Sequence, residues 1–270
     1  MKYCIVALPL LAGTLSAPAV HARTICTVVT NAVQSAVLLK QGDCSTRVTP
    51  ASTFKIALSL MGFDAGFLKD EHAPALPYRD GYPDWGGEAW RQPTDATRWM
   101  KYSVVWFSQQ VTHALGAKRL QRYVAEFQYG NADISGDAGK HNGLERAWIS
   151  SSLKISPLEQ VAFLGKFVNR QLPVAPHAFD MTKQIVEVSH LSSGWDVHGK
   201  TGMAYPRQAD GNFDKAHPYG WFVGWATKGS HTLVFARLIQ DDRKEPGTAG
   251  VRARDAFLAE LPALAAPLAR

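Results

Sequence analysis

Apolar residues run in short blocks at both ends of the chain and recur at helical spacing in its middle. Near the N-terminus, 24–30 and 35–40 read as two strands around a turn at Thr30 to Gln34. A helix opens near Ser52 and runs through Ile56, Leu58, Leu60 and Met61. The stretch 72–96 is rich in Pro and Gly, has few periodic apolar positions, and reads as loop. Helices fit 96–114 and 117–127, the second with Leu120, Tyr123, Val124 and Phe127 on one face. Ser156-Pro157-Leu158-Glu159 combines an N-cap Ser, a first-turn Pro and a capping-box Glu. The helix it starts runs on through Val161, Leu164 and Phe167, and another fits 176–188. Trp195 to His198, Trp221 to Thr227 and His231 to Ile239 then read as strands, the last two joined by a Lys228-Gly229-Ser230 turn. A final helix, 251–260, folds back onto the sheet. This order predicts an α+β fold: an antiparallel β-sheet formed from both chain ends, with a mainly helical lobe inserted between them.

Composition narrows the setting. The 270 residues are 46% hydrophobic and 19% charged, enough for one sizeable core, and no repeat or linker divides them. The net charge of +6 is spread without a basic run, which excludes a nucleic-acid footprint. The N-terminus reads as a signal peptide over 1–22. Lys2 is its only charge, Cys4 to Leu15 is mostly apolar, and Val20-His21-Ala22 offers a cleavage site. The expected product is a single domain, 23–270, exported to the periplasm, with no membrane span after signal removal. Cys26 and Cys44 remain in it as an even pair flanking the predicted hairpin. A disulfide between them is expected in an oxidising compartment, with two buried free thiols as the alternative.

The chemistry sits in motifs whose order matters more than any one of them. Ser52-Thr53-Phe54-Lys55 is followed by Ser103-Val104-Val105, then Tyr129-Gly130-Asn131, then Lys200-Thr201-Gly202. Alone, S-x-x-K is weak, since a Ser and a Lys on one helix face often only meet water. A serine hydroxyl needs a base to take its proton, and Lys55 serves only if its amine is neutral. Phe54, Ile56, Ala57 and Leu58 surround it with apolar groups, and burial disfavours its charged form. A neutral amine also reacts with carbon dioxide. Lys200 offers charge, Thr201 a hydroxyl, and Gly202 close backbone approach at a strand end, a combination suited to an anionic acyl substrate. The nine His and three Cys show no zinc-ligand spacing, and no nucleotide-binding loop occurs, so neither a metal nor a nucleotide cofactor is expected.

With these motifs in order, and with Trp148-Ile149-Ser150 and Trp221-Phe222-Val223-Gly224-Trp225 between and after them, the chain resembles class D (oxacillinase-type) serine β-lactamases over nearly its whole mature length. The resemblance implies hydrolysis of β-lactam substrates, and hence antibiotic resistance. It implies that Ser52 is acylated and that Lys55 carries a carbon dioxide-derived carbamate acting as general base in both half-reactions. Trp148 would donate its indole N–H to that carbamate, and Val105 would pack over the modified lysine. Ser103 would relay a proton to the lactam nitrogen. The N–H groups of Ser52 and Met203 would form the oxyanion hole. Lys200, Thr201, Gly202 and an arginine would bind the substrate and its carboxylate. Arg252 matches that arginine, with Arg254 two residues away as the alternative. Tyr129 and Asn131 read as scaffold. Class A relatives would have S-D-N in place of Ser103-Val104-Val105 and a glutamate segment, E-x-x-L-N, which does not occur here. Two rivals share the serine: a penicillin-sensing binding module acylated without efficient turnover, and a small D,D-peptidase.

Overall fold

The computed structural model describes residues 22–266; the predicted leader lies outside the described residues up to residue 21. In chain order the elements are β1 (Ala22–Asn31), β2 (Val37–Gly42), α1 (Phe54–Asp64), α2 (Ala96–Tyr102), α3 (Val105–Glu126), α4 (Gly143–Arg146), α5 (Pro157–Val168), α6 (Pro176–Ile185), β3 (Val188–His190), β4 (Asp196–Ala204), β5 (Tyr219–Lys228), β6 (His231–Asp241) and α7 (Ala249–Ala265). The six strands form one antiparallel sheet in the order β2-β1-β6-β5-β4-β3. The two chain ends meet where β1 pairs with β6, Val29 opposite Phe235. This is the architecture the order of elements predicts.

Alternation along the strands sorts side chains between two cores. Val28, Val223, Val234, Ala236 and Leu238 face the helical lobe, with Phe54, Leu58 and Phe163. Their neighbours Val29, Phe222, Phe235 and Ile239 face α7, meeting Ala253, Phe257 and Leu261. Both faces are covered, so β5 and β6 read as near-continuous apolar runs. The predicted capping box holds: Ser156 accepts from the Glu159 N–H while Glu159 accepts from the Ser156 N–H. Cys26 and Cys44 are buried and bridged, with Cα atoms 5.1 Å apart.

Several boundaries differ from expectation, among them those that shape the β4 side of the molecule. The predicted helix over 96–114 is broken: α2 ends at Tyr102, Ser103 is left-handed (φ 56°), Val104 is extended, and α3 starts at Val105. Helical periodicity continues across this break, so the sequence pattern hides it. The break expected near 115 is present as a kink at Gly116, whose φ is 72°. The helix expected over 176–188 stops at Ile185, and its end becomes the short strand β3. The strand expected to end at His198 runs to Ala204, so Lys200-Thr201-Gly202 lies within β4. Because β3 covers only Asp196–His198, the Lys200–Ala204 half of β4 has a strand partner on its β5 side alone.

Candidate active site

A single 3-10 turn, Ala51–Thr53, delivers Ser52 to the start of α1. It is held from several directions. Ala51 N–H and Thr49 Oγ1 both donate to the Trp148 carbonyl (3.0 and 2.8 Å), and Thr53 Oγ1 donates to the Pro50 carbonyl (2.7 Å). Gln160 Nε2 donates to Thr53 Oγ1 (2.9 Å). Ala51 itself sits at φ 49°, a costly conformation for a residue with a Cβ, maintained by these contacts. On the open side β4 crosses closely: a Cβ on Gly202 would lie 3.0 Å from the Pro50 carbonyl oxygen. Glycine at the end of K-T-G lets the strand run against the serine turn.

Helical spacing puts Lys55 under Ser52, with Nζ 3.3 Å from Oγ. Lys55 is 1% exposed. Burial holds its amine well below the ordinary lysine range, and the positive charge of Lys200 lowers it further. Lys200 is also buried. Burial brings it down to about 8, with Glu187 opposing and Arg254 adding to the shift. Its ammonium donates to Ser103 Oγ and to the Thr201 carbonyl (3.2 Å). The left-handed turn at Ser103, absent from the sequence pattern, is what carries that hydroxyl to Lys200.

Ser52 and Ser103 open on a cavity of about 290 Å³ lined also by Val105, Trp148 and the Thr201–Met203 edge of β4, while Lys55 and Lys200 are buried outside its lining. Trp85, Trp90, Tyr102 and Thr248 complete it, and none of the lining residues is Asp or Glu. Sequence reasoning missed these four: the first two lie in the aperiodic stretch 72–96, and nothing in a linear pattern ties them to Ser52. A larger polar groove of about 780 Å³, near Asp137, Lys154 and Arg207, does not include Ser52. The smaller cavity is the chemical one.

Trp148 is buried, its ring 5.7 Å from Phe54. Tyr129 packs edge-on to Phe54 and Phe163 behind α1, away from the cavity lining. Burial pushes its phenol up, so it stays protonated at neutral pH. Gly130 has φ +58°, and a Cβ there would sit 2.0 Å from the Lys154 carbonyl oxygen. Asn131 ties the same loop down through Lys154 N–H and the Ser152 carbonyl. Tyr129-Gly130-Asn131 is scaffold in this geometry. Arg252 is not brought to the cavity lining. Its guanidinium is paired with the buried carboxylate of Asp241 and donates to the Pro246 carbonyl. Arg254, on the same helix, borders Thr201 and Gly199 from the α7 side.

The sequence matches the Transpeptidase family, the penicillin binding protein transpeptidase domain, over residues 25–262. It is 43% identical over 240 residues to Beta-lactamase OXA-9 of Klebsiella pneumoniae, covering 88% of this chain and 87% of that one. Beta-lactamase OXA-1 of Escherichia coli is 36% identical over 215 residues, 79% of this chain and 74% of its own. Among solved structures, the class D β-lactamase OXA-427 superposes with a TM-score of 0.83 at 47% identity, covering 88% of this chain and 97% of that one. The chain therefore belongs to the penicillin-binding transpeptidase family and, within it, to the class D, oxacillinase-type serine β-lactamases.

Proposed function

We propose that the chain hydrolyses the β-lactam amide bond of penicillin-type antibiotics through an acyl-enzyme on Ser52, and so confers resistance to them. The observation that carries this reading is the buried Lys55 amine, 3.3 Å from Ser52 Oγ, at a cavity with no carboxylate in its lining. The reaction needs a base, and Lys55 is the group in reach. Its depressed pKa and the donor-only indole of Trp148 fit a carbon dioxide-derived carbamate on Nζ, which would supply an anionic oxygen base there.

Ser52 Oγ attacks the lactam carbonyl carbon while its proton leaves toward the Lys55 side. Charge builds on the carbonyl oxygen, where the N–H groups of Ser52 and Met203 receive it; one such donor is worth about 3–4 kcal/mol of barrier. The C–N bond then breaks, and Ser103 passes its proton to the ring nitrogen; the proton taken from Ser52 moves from the Lys55 side through the Lys200 ammonium to Ser103, so the base is free again. A water, deprotonated from the Lys55 side, hydrolyses the Ser52 ester and returns the proton to Oγ. Val105 keeps an apolar wall over Lys55, and Thr201 and Gly202 hold the substrate along the half-open edge of β4. Turnover of a chromogenic cephalosporin, counted against active sites, tests the reading. Many turnovers per Ser52 are expected; a single burst with no further product would make the chain a penicillin receptor instead.

We assign the substrate carboxylate to Lys200, Thr201 and Arg252, an assignment that requires the Arg252 guanidinium to turn from Asp241 toward the cavity when substrate binds. Arg252→Ala is expected to lower kcat/KM for a penicillin at least tenfold through KM, since a charged hydrogen bond is worth about 1.5–3 kcal/mol. Arg254→Ala is expected to do much less. Arg252→Ala also strands the Asp241 carboxylate in the interior, so a lower Tm accompanies it. The reverse order of the two KM effects would move carboxylate recognition to Arg254.

We also assign the chain to the periplasm, reached by removal of a leader ending at Ala22; the bridged Cys26–Cys44 pair supports an oxidising compartment. A non-reducing peptide map of exported protein is expected to start at Arg23 and to contain that pair as one linked peptide. Two alkylatable thiols would refute this. The bridge closes a separation of 18 residues. Cys44→Ser is therefore expected to cost roughly 3 kcal/mol of stability, read by denaturant melts, with kcat/KM of the folded protein little changed.

A further inference from the structure

The segment Asp84–Arg91 forms a closed turn at the rim of the catalytic cavity. Arg91 Nη2 and Nε donate to Asp84 Oδ2 (2.5 and 3.2 Å), and Gly87 N–H donates to the Asp84 carbonyl (2.7 Å). A Cβ on Gly86 would lie 2.1 Å from the Trp90 indole nitrogen, so glycine lets the chain fold over that ring. The turn sets two indoles side by side, with centroids 6.0 Å apart. They are not equivalent. Trp90 is 8% exposed and fixed, its Nε1 donating to the Tyr102 carbonyl (2.8 Å). Trp85 is 61% exposed while still lining the cavity. Tyr102, at the same rim, already carries the Arg98 guanidinium over its ring at 4.5 Å. Trp85 thus presents the largest uncommitted apolar surface at the mouth, on a turn stapled at both ends. A large exposed aromatic beside a ligand cavity is surface available to the ligand.

The geometry points to Trp85 as a specificity-determining residue that packs its indole against an aromatic acyl substituent of the β-lactam. This deepens the hydrolase reading of the Ser52 site and rests on it. In the hydrolase reading the lactam ring would lie between Ser52 and the Thr201–Met203 edge, and Trp85 and Trp90 line the same cavity. A substituent that reaches this wall buries apolar area on both partners, whereas a nucleus without one leaves Trp85 in water.

The test compares two substrates that differ only there: a penicillin with a benzyl side chain, and the same nucleus with a free 6-amino group. For Trp85→Ala, kcat/KM on the benzyl substrate is expected to fall about tenfold, through KM, as an aromatic contact and its buried area are lost. On the 6-amino nucleus it is expected to stay within about twofold. Trp85→Phe should recover most of the benzyl activity. Equal losses on both substrates, or none on the benzyl one, would overturn the assignment. Failure of the wild-type protein to turn over either substrate would overturn the hydrolase reading itself, and this assignment with it.

Discussion

Ser52→Ala is expected to remove covalent labelling by a penicillin and to lower kcat/KM by roughly 10⁴-fold or more, as losses of a nucleophile do elsewhere. Nothing else in the cavity substitutes for it. Ser103 is the other serine in the lining, and its hydroxyl is engaged by the Lys200 ammonium, a cation that cannot accept its proton. The turn that carries Ser52 is held through backbone and through Thr53, so alanine leaves its shape intact. Mass spectrometry should show near-stoichiometric adduct on the parent protein and none on the variant. Full labelling of the variant would remove Ser52 from its role.

Turnover is also expected to depend on dissolved carbon dioxide. The Lys55 amine is held well below its ordinary pKa by burial, which favours the neutral form that reacts with carbon dioxide. Acid protonates the amine and discharges the carbamate, so activity falls on the acidic side and returns as pH rises through the depressed pKa. Bicarbonate is expected to restore turnover in carbon dioxide-depleted buffer. The effect should be larger in Trp148→Ala, where a carbamate would lack the donor proposed for it, since an ionised group in such a site is costly without partners. Deacylation should suffer more than acylation, leaving trapped acyl-enzyme. Carbon-13 NMR of protein given labelled bicarbonate is expected to show a carbamate resonance. Full activity without carbon dioxide and no such resonance would return Lys55 to the role of a plain amine base.

Much of this site is legible in the sequence because its chemistry is local in the chain. Ser52 and Lys55 are one helical turn apart, the capping box at Ser156 is a four-residue signal, and strands with both faces covered appear as apolar runs. What stays hidden depends on long-range geometry. The break at Ser103 keeps helical periodicity on both sides, and only the Lys200 partner across the cavity explains it. β3 is three residues long and too short to carry a pattern. Trp85 and Thr248 have no periodic signature, and they reach the cavity only because the lobe and α7 close over β4. The Asp241–Arg252 pair joins the end of β6 to α7, and neither residue alone predicts the other.

The two buried lysines also depend on each other. Lys200 helps keep Lys55 uncharged, while a carbamate on Lys55 would place a negative charge that favours the ammonium of Lys200. Loading with carbon dioxide and readiness to bind an anion are then a single coupled equilibrium. A Lys200→Gln enzyme should therefore carry two separable defects. One is a raised KM, from the missing cation. The other is weaker retention of carbon dioxide, because the Lys55 amine climbs back toward its ordinary pKa. Added bicarbonate should repair the second defect and leave the first, and a variant indifferent to bicarbonate would show that the two lysines act independently.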